Sequence, residues 1–205
     1  MTKERISIYI DRNSMNSMWS VISDSKTKYS HKHNMKIAYF KKLPNSILKL
    51  YCKTTGKEMS NISYNATFKY VGFKPNEGPA YESLVKSSSL YDSLYLKSSI
   101  RSPELDKDSN PLFNKKGNVI YEERQVDTGL VCDLVKDAFL DFYDIAILCT
   151  NDSDFYPAVA LVQNIVGKKV ILLGPRDAFN KLLRAICFGN LFLDEIVNVI
   201  KKYNS

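Results

Sequence analysis

The sequence predicts a three-layer α/β domain built on a mainly parallel sheet. Short, continuous apolar runs recur at residues 6–10, 35–40, 145–149 and 170–173, the pattern of strands buried on both faces. Longer segments whose apolar residues repeat at helical spacing lie among them. Strands alternating with helices in this way form a parallel sheet covered by helices.

Residues 6–10, Ile-Ser-Ile-Tyr-Ile, read as a first strand ending at Asp11. Residues 35–40 read as a second strand, and 45–53, closed by Gly56, as a helix. Residues 62–70 alternate apolar and polar, a strand pattern. Residues 75–117 are rich in Ser, Pro, Asn, Lys and Asp. They read as a flexible or partly ordered insertion with a short helix near 81–96, since loops of that length are functional or disordered. The insertion interrupts a single domain spanning 1–205. A strand candidate comes next at 118–123. Residues 129–142 then carry a clear apolar stripe including Leu130, Leu134 and Ala138. After the strand at 145–149 comes a helix over 155–166, with Pro157 in its first turn and Gly167 at its end. The strand at 170–173 closes at Gly174-Pro175, and Asn180 caps a last helix through Cys187. No internal repeat is evident.

The apolar fraction of 44% and charged fraction of 25% are those of a soluble globular chain. No apolar run approaches a membrane span, and the N-terminus lacks the long apolar core of a signal peptide. A cytoplasmic location without membrane contact is the expectation. Cys52, Cys132, Cys149 and Cys187 are too scattered for a zinc knuckle or redox pair, so core thiols in a reducing compartment are expected. Residues 1–74 carry 14 Lys/Arg and 4 Asp/Glu, whereas 75–205 carry 15 and 18. A basic half beside an acidic half suits a protein that holds a polyanion on one side and cations on the other, although a solvated lysine surface has the same composition.

Ligands of open α/β sheets bind at the carboxyl ends of the strands. Asp11-Arg12-Asn13-Ser14 comes directly after the first strand, Thr150-Asn151-Asp152-Ser153-Asp154 after the strand at 145–149, and Asp127 after the candidate at 118–123. Three segments thus bring acids to one edge. Clustered carboxylates repel one another, and a cation relieves that cost. Oxygen ligands without His or Cys point to Mg²⁺ or Mn²⁺, which activates water and stabilises charge on phosphate. Helix capping competes for these acids. Asp154 is expected to share a cap and a site role, and for Asp127 capping the next helix and facing the site are both open and compatible. Asp133 either supports the site or is a solvated helix acid. Thr150 and Asn151 bind phosphate, steady the carboxylates, or simply end a strand. His31 and His33 read as surface residues. Walker, G-x-G-x-x-G and nucleophile-turn motifs are missing.

The segment 143–157, Tyr-Asp-Ile-Ala-Ile-Leu-Cys-Thr-Asn-Asp-Ser-Asp-Phe-Tyr-Pro, continuing to Gly167-Lys168-Lys169-Val170, resembles the signature of the NYN domain, the LabA-like branch of the PIN-like nucleases. Asp11 after the first strand, Val126-Asp127 with Asp133, and the strand-like run 187–193 extend the resemblance over most of the chain outside 75–117. The resemblance implies a Rossmann-like αβα sandwich with a Mg²⁺- or Mn²⁺-dependent ribonuclease site. It carries over Asp11, Asp127, Asp152 and Asp154 as metal ligands or water positioners. The family's Asn usually lies three residues after the first Asp, where this chain has Ser14, with Asn13 one residue early. Arg124 stands where the family usually has Lys.

The reading is an endoribonuclease acting through a metal-activated water. Arg12, Lys41, Lys42 and Arg124 are expected to contact substrate, the first three from a basic first third that also includes Lys36, Lys49, Lys53 and Lys57. Asn13, Ser14, Asp133, Thr150 and Asn151 are expected in support. Single-stranded DNA is a competing substrate, and the insertion offers a surface for self-association or a protein partner. The alternatives are a catalytically weak RNA-binding or regulatory module, and a metal-dependent phosphohydrolase acting on nucleotides.

Overall fold

The computed structural model describes residues 3–23, 37–70, 94–98, 100–124 and 126–202. Six strands form one sheet in the order β3-β2-β1-β6-β7-β8, and every pairing in it is parallel. These are β1 (Glu4–Asp11), β2 (Ile62–Tyr70), β3 (Leu94–Ser98), β6 (Ile145–Cys149), β7 (Lys169–Gly174) and β8 (Gly189–Phe192). A separate antiparallel pair joins β4 (Ile100–Pro103) to β5 (Tyr121–Arg124). The helices are α1 (Arg12–Ser23), α2 (Ile37–Thr55), α3 (Val126–Phe139), α4 (Tyr156–Leu161), α5 (Lys181–Ile186) and α6 (Leu193–Lys202).

Strand side chains alternate between two buried faces. Ile6, Ile8 and Ile10 of β1 join Ile145, Ile147 and Cys149 of β6 and Ile171 and Leu173 of β7 under α1, α2 and α6. On the other face, Tyr9, Ala146, Leu148, Val170 and Leu172 meet α3, α4 and α5 through Leu130, Leu134, Val159 and Leu183. Every residue of β6 is buried. Burial on both sides explains the continuous apolar runs, each large side chain contributing roughly 1.5–3 kcal/mol.

Sequence order reverses direction at β1. From β1 the chain goes outward to β2 and β3 on one side, and β6, β7 and β8 are laid down on the other. The crevice between β1 and β6 is therefore the topological switch point, where ligands of such sheets bind. At the opposite edge Arg5 bridges Asp141 and Asp144, tying the turn before β6 to β1.

Several expectations are corrected. Residues 37–40 begin helix α2 rather than a strand, and Met35 and Lys36 lie outside the described residues. An apolar run of that length fits a buried helix turn as well as a strand. Helix α2 also takes in the helix expected at 45–53 and accommodates Pro44. The strand expected at 118–123 is β5, which belongs to the small antiparallel pair and not to the main sheet. Within the stretch read as an insertion, β3 is an edge strand of the main sheet. The expected short helix is not found at 94–96, which is strand, and 81–93 lie outside the described residues. Cys132 is exposed on α3 rather than a core thiol, whereas Cys52 and Cys149 are buried.

Residues 104–120 contain an internal repeat that sequence reading missed. Segments 105–112 and 113–120 each form a tight hairpin. In each, an Asx side chain (Asp106, Asn114) accepts hydrogen bonds from two downstream backbone N–H groups. The residue three places after the Asx, Ser109 or Gly117, takes a positive φ, as a type I turn leading into a left-handed residue requires. Glu104, Leu112 and Ile120, eight residues apart, close a ring of backbone bonds, each donating to the next at 2.7–2.9 Å. Lys107 and Asn110 recur as Lys115 and Asn118, Leu105 and Leu112 are matched by the apolar Phe113 and Ile120, and the other side chains differ.

Among the described residues, no helix is long and apolar enough to cross a membrane.

Candidate functional site

In-register pairing of Ile10 with Cys149 sets the ends of β1 and β6 side by side. Asp11 is the last residue of β1 and is 3% exposed. Its Oδ1 accepts hydrogen bonds from the N–H groups of Asn13 (2.9 Å) and Ser14 (3.3 Å), which open α1. Its Oδ2 accepts from Thr150 Oγ1 at 3.3 Å. Burial pushes the Asp11 carboxyl above its ordinary value, and the bonds from Ser14, Asn13 and Thr150 pull the other way.

Thr150, fully buried after β6, is a junction. Its hydroxyl donates to Asp11, accepts from the Asp152 N–H at 3.2 Å, and lies 3.0 Å from Ser14 Oγ. Ser14 thus meets Asp11 through its backbone N–H and Thr150 through its hydroxyl. Asp152 caps the 3-10 turn Ser153–Phe155, its Oδ1 accepting from Asp154 N–H at 3.0 Å. The capping role expected of Asp154 therefore falls to Asp152, because a residue in the β region before the turn presents its carboxylate to the open N–H groups. Asp154 is exposed.

Asp127 sits in the first turn of α3, within the helix rather than at its cap. Its carboxyl is pushed up to about 6, first by burial and then by the fields of Asp11, Asp152 and Asp154. It makes no hydrogen bond or ion pair among the described residues. Asp11, Asp127 and Asp152 line a cleft of about 520 Å³ together with Asn13, Ser14 and Asn151. No described lining residue is cationic.

Asn151 ties this edge to the loop after β7. Its Nδ2 donates to the Ala178 carbonyl at 2.9 Å, and its Oδ1 accepts from Asn180 N–H at 2.6 Å. Asn180 in turn caps α5, as the sequence predicts, by accepting from Leu182 and Leu183 N–H. Both polar groups of the Asn151 side chain are thus engaged in positioning a wall of the cleft.

Other expected site residues sit elsewhere. Asp133 is buried, not solvated, and takes a hydrogen bond from Lys136 at 3.2 Å away from the cleft lining. Lys42 lies half-buried on α2, outside the lining. Arg12 begins α1, Lys41 lies in α2 and Arg124 ends β5, but their side chains lie outside the described residues, as do His31 and His33. Sequence reading missed Ser17, Met18 and Val21 of α1, and Pro175, Ala178 and Asn180 after β7, as cleft walls. The spacing of Met15, Met18, Trp19 and Ile22 marks α1 as a helix. The rule that ligands meet the carboxyl ends of parallel strands, applied to β7, finds the loop.

Among the described residues no three Asp, Glu, His or Cys side chains form a ready-made metal cage. The donor set nonetheless fits a hard cation. Carboxylate oxygens line the cleft, and the unpaired Asp127 is destabilised by its acidic neighbours. Mg²⁺ keeps several waters and takes only one or two carboxylates, so an open acidic cleft suits it better than a closed cage.

Comparison with curated proteins gives no match. A solved structure of a protein of unknown function from Vibrio parahaemolyticus RIMD 2210633 is similar in fold, with a TM-score of 0.56 at 18% identity over 94% of each chain. A family model gives the more specific result and supports a nuclease-like function on the PIN-like fold. Residues 100–193, which carry Asp127, Asp152 and Asp154 but not Asp11, match the NYN domain.

Proposed function

We propose that this chain is a metal-dependent ribonuclease whose acidic cleft hydrolyses RNA phosphodiester bonds. The observation that carries the reading is Asp127, an unpaired carboxyl raised to about 6 in a cleft with Asp11 and Asp152, and within the field of Asp154. A fold gains no stability by gathering four acids without a cation, whereas a cation site needs them. Mg²⁺ or Mn²⁺ bound there would lower the pKa of a water and offset charge on the phosphate.

The chain's own groups have separable tasks. Asp127 and Asp152 line the cleft, and neither the Asp127 carboxyl nor the Oδ2 of Asp152 makes a hydrogen bond among the described residues, so they are open to a cation or its waters. Asp11 is held by three donors and fixes the negative field at the floor of the site. Thr150 and Ser14 keep Asp11 in one orientation, and Asn151 holds the loop wall.

One observation favours the second reading, a catalytically weak RNA-binding module: three of the lone-pair sites of Asp11 are already occupied, and no ready-made cage exists among the described residues. Labelled RNA and single-stranded DNA, incubated with Mn²⁺, Mg²⁺ or EDTA beside the Asp152→Asn variant, separate the two. RNA cleavage that needs metal and disappears in the variant supports the nuclease. Intact RNA under every condition, with binding retained, favours the module.

A further inference from the structure

The doubled hairpin of residues 104–120 has no task in the proposed chemistry, yet the topology sets its base at the edge where the cleft lies. Lys69 pairs with Asp11 across β1 and β2, and Lys69 and Tyr70 pair with Lys97 and Ser98 at the carboxyl end of β3. The chain therefore leaves β3 at the edge that carries Asp11, and enters β4 at Ile100. It returns through β5 directly into α3, whose first turn delivers Asp127 to the cleft.

The cleft itself repels an approaching polyanion, since its described lining has acids and no cation. A phosphate backbone must be gripped beside it. The second hairpin offers what such a grip needs. Phe113 is 59% exposed at its start, and Lys115 and Lys116 occupy its tip without an acid in the loop. Neither lysine forms an ion pair among the described residues, and the same holds for Lys107 of the first hairpin, which has Asp106 and Asp108 as sequence neighbours. The turn itself needs only Asn114 and Gly117. The first hairpin makes the same turn with Asp106, Lys107 and Asp108, so Lys115 has a counterpart in both copies, while Phe113 and Lys116 stand where the first copy has Leu105 and Asp108.

We propose that the hairpin of residues 113–120 is a docking arm for single-stranded RNA, with Phe113 as a stacking surface and Lys115 and Lys116 as phosphate contacts. The proposal rests on the nuclease reading for its substrate. An exposed ring stacks on any unpaired base, which suits a site that grips a strand without reading its sequence. The ring of backbone bonds through Glu104, Leu112 and Ile120 holds the arm in shape before binding, so little ordering entropy is lost.

Fluorescence anisotropy of a labelled single-stranded RNA, in EDTA so that nothing is cleaved, tests it with the full chain. Phe113→Ala is expected to weaken binding by roughly ten-fold. Lys115→Gln with Lys116→Gln is expected to reduce the slope of log affinity against log salt by roughly 1.4. Leu105→Ala, the equivalent of Phe113 in the first hairpin, should bind as wild type. Turnover of a dinucleotide with Mn²⁺ should be equal in all variants, because none of the substituted residues lines the cleft. Wild-type affinity and salt slope in both second-hairpin variants would overturn the proposal, including the case in which the arm serves a protein partner instead. If no substrate is cleaved, the nuclease reading falls while the binding comparison still decides the arm.

Discussion

Asp127 concentrates the electrostatics of this molecule in one side chain. Its folded value of about 6 lies above the ordinary 3.8 of an aspartate, with burial the leading cause and acidic neighbours next. The sign comes from linkage: the ionised form is disfavoured in the fold, so stability is greatest below the ordinary value and is lost as pH rises through about 6. Melting curves in EDTA should therefore show Tm rising as pH falls from about 7 to about 5. Asp127→Asn should raise Tm at neutral pH and flatten that dependence. A variant with lower Tm and an unchanged pH profile would show that Asp127 is not under this strain. Thr150 carries the complementary prediction. Thr150→Val keeps the shape but removes a buried hydroxyl serving Asp11 and the Asp152 N–H. A loss of about 1–3 kcal/mol in denaturant unfolding is expected.

At the scale of elements, the cleft depends on how strands hand over to turns. Gly174 ends β7 where a side chain has no room: a Cβ there would lie 2.6 Å from the Phe179 ring. That ring packs edge-on against Phe192, with centroids 5.7 Å apart, and belongs to the loop that Asn151 fastens to the cleft. Gly174→Ala should cost about 1–3 kcal/mol and lower RNA cleavage by displacing the wall. Unchanged stability and activity would mean that the ring gives way freely. Element identity was legible in the sequence where burial is two-sided and the run is bounded. β1, β6 and β7 show themselves as apolar runs ending in Asp, Cys-Thr-Asn and Gly-Pro, and Gly167 stops its helix with φ +78°. Residues 37–40 were not legible, because a few apolar residues fit either period. The repeat at 104–120 was hidden because turn geometry tolerates Asp for Asn and Ser for Gly. The three segments bearing the acids could be found from the residues just past each strand's carboxyl end. Asp127 nonetheless reaches the cleft from the head of α3, not from a strand of the main sheet, and no local pattern reveals that.

At the scale of the molecule, sheet order does the assembling. Because β1 and β6 are neighbours while their connections run to opposite sides, two acidic turns distant in sequence open into one crevice. The central strand β6 supports this arrangement from both faces. Ile147→Ala, at a position with no exposure, should cost about 2–5 kcal/mol in unfolding free energy, while a loss below about 1 kcal/mol would contradict the packing described. The central claim is that the gathered aspartates act together on a divalent cation. Calorimetric titration of Mn²⁺ into the full chain at about pH 7.5 and at about pH 5 tests it, because at the lower pH bound cation must displace the proton that Asp127 still holds. Binding at the higher pH that weakens at the lower pH, where it releases a proton, and that is lost in Asp152→Asn is the predicted result. Equal binding by wild type and variant, or no binding by wild type at either pH, would contradict it.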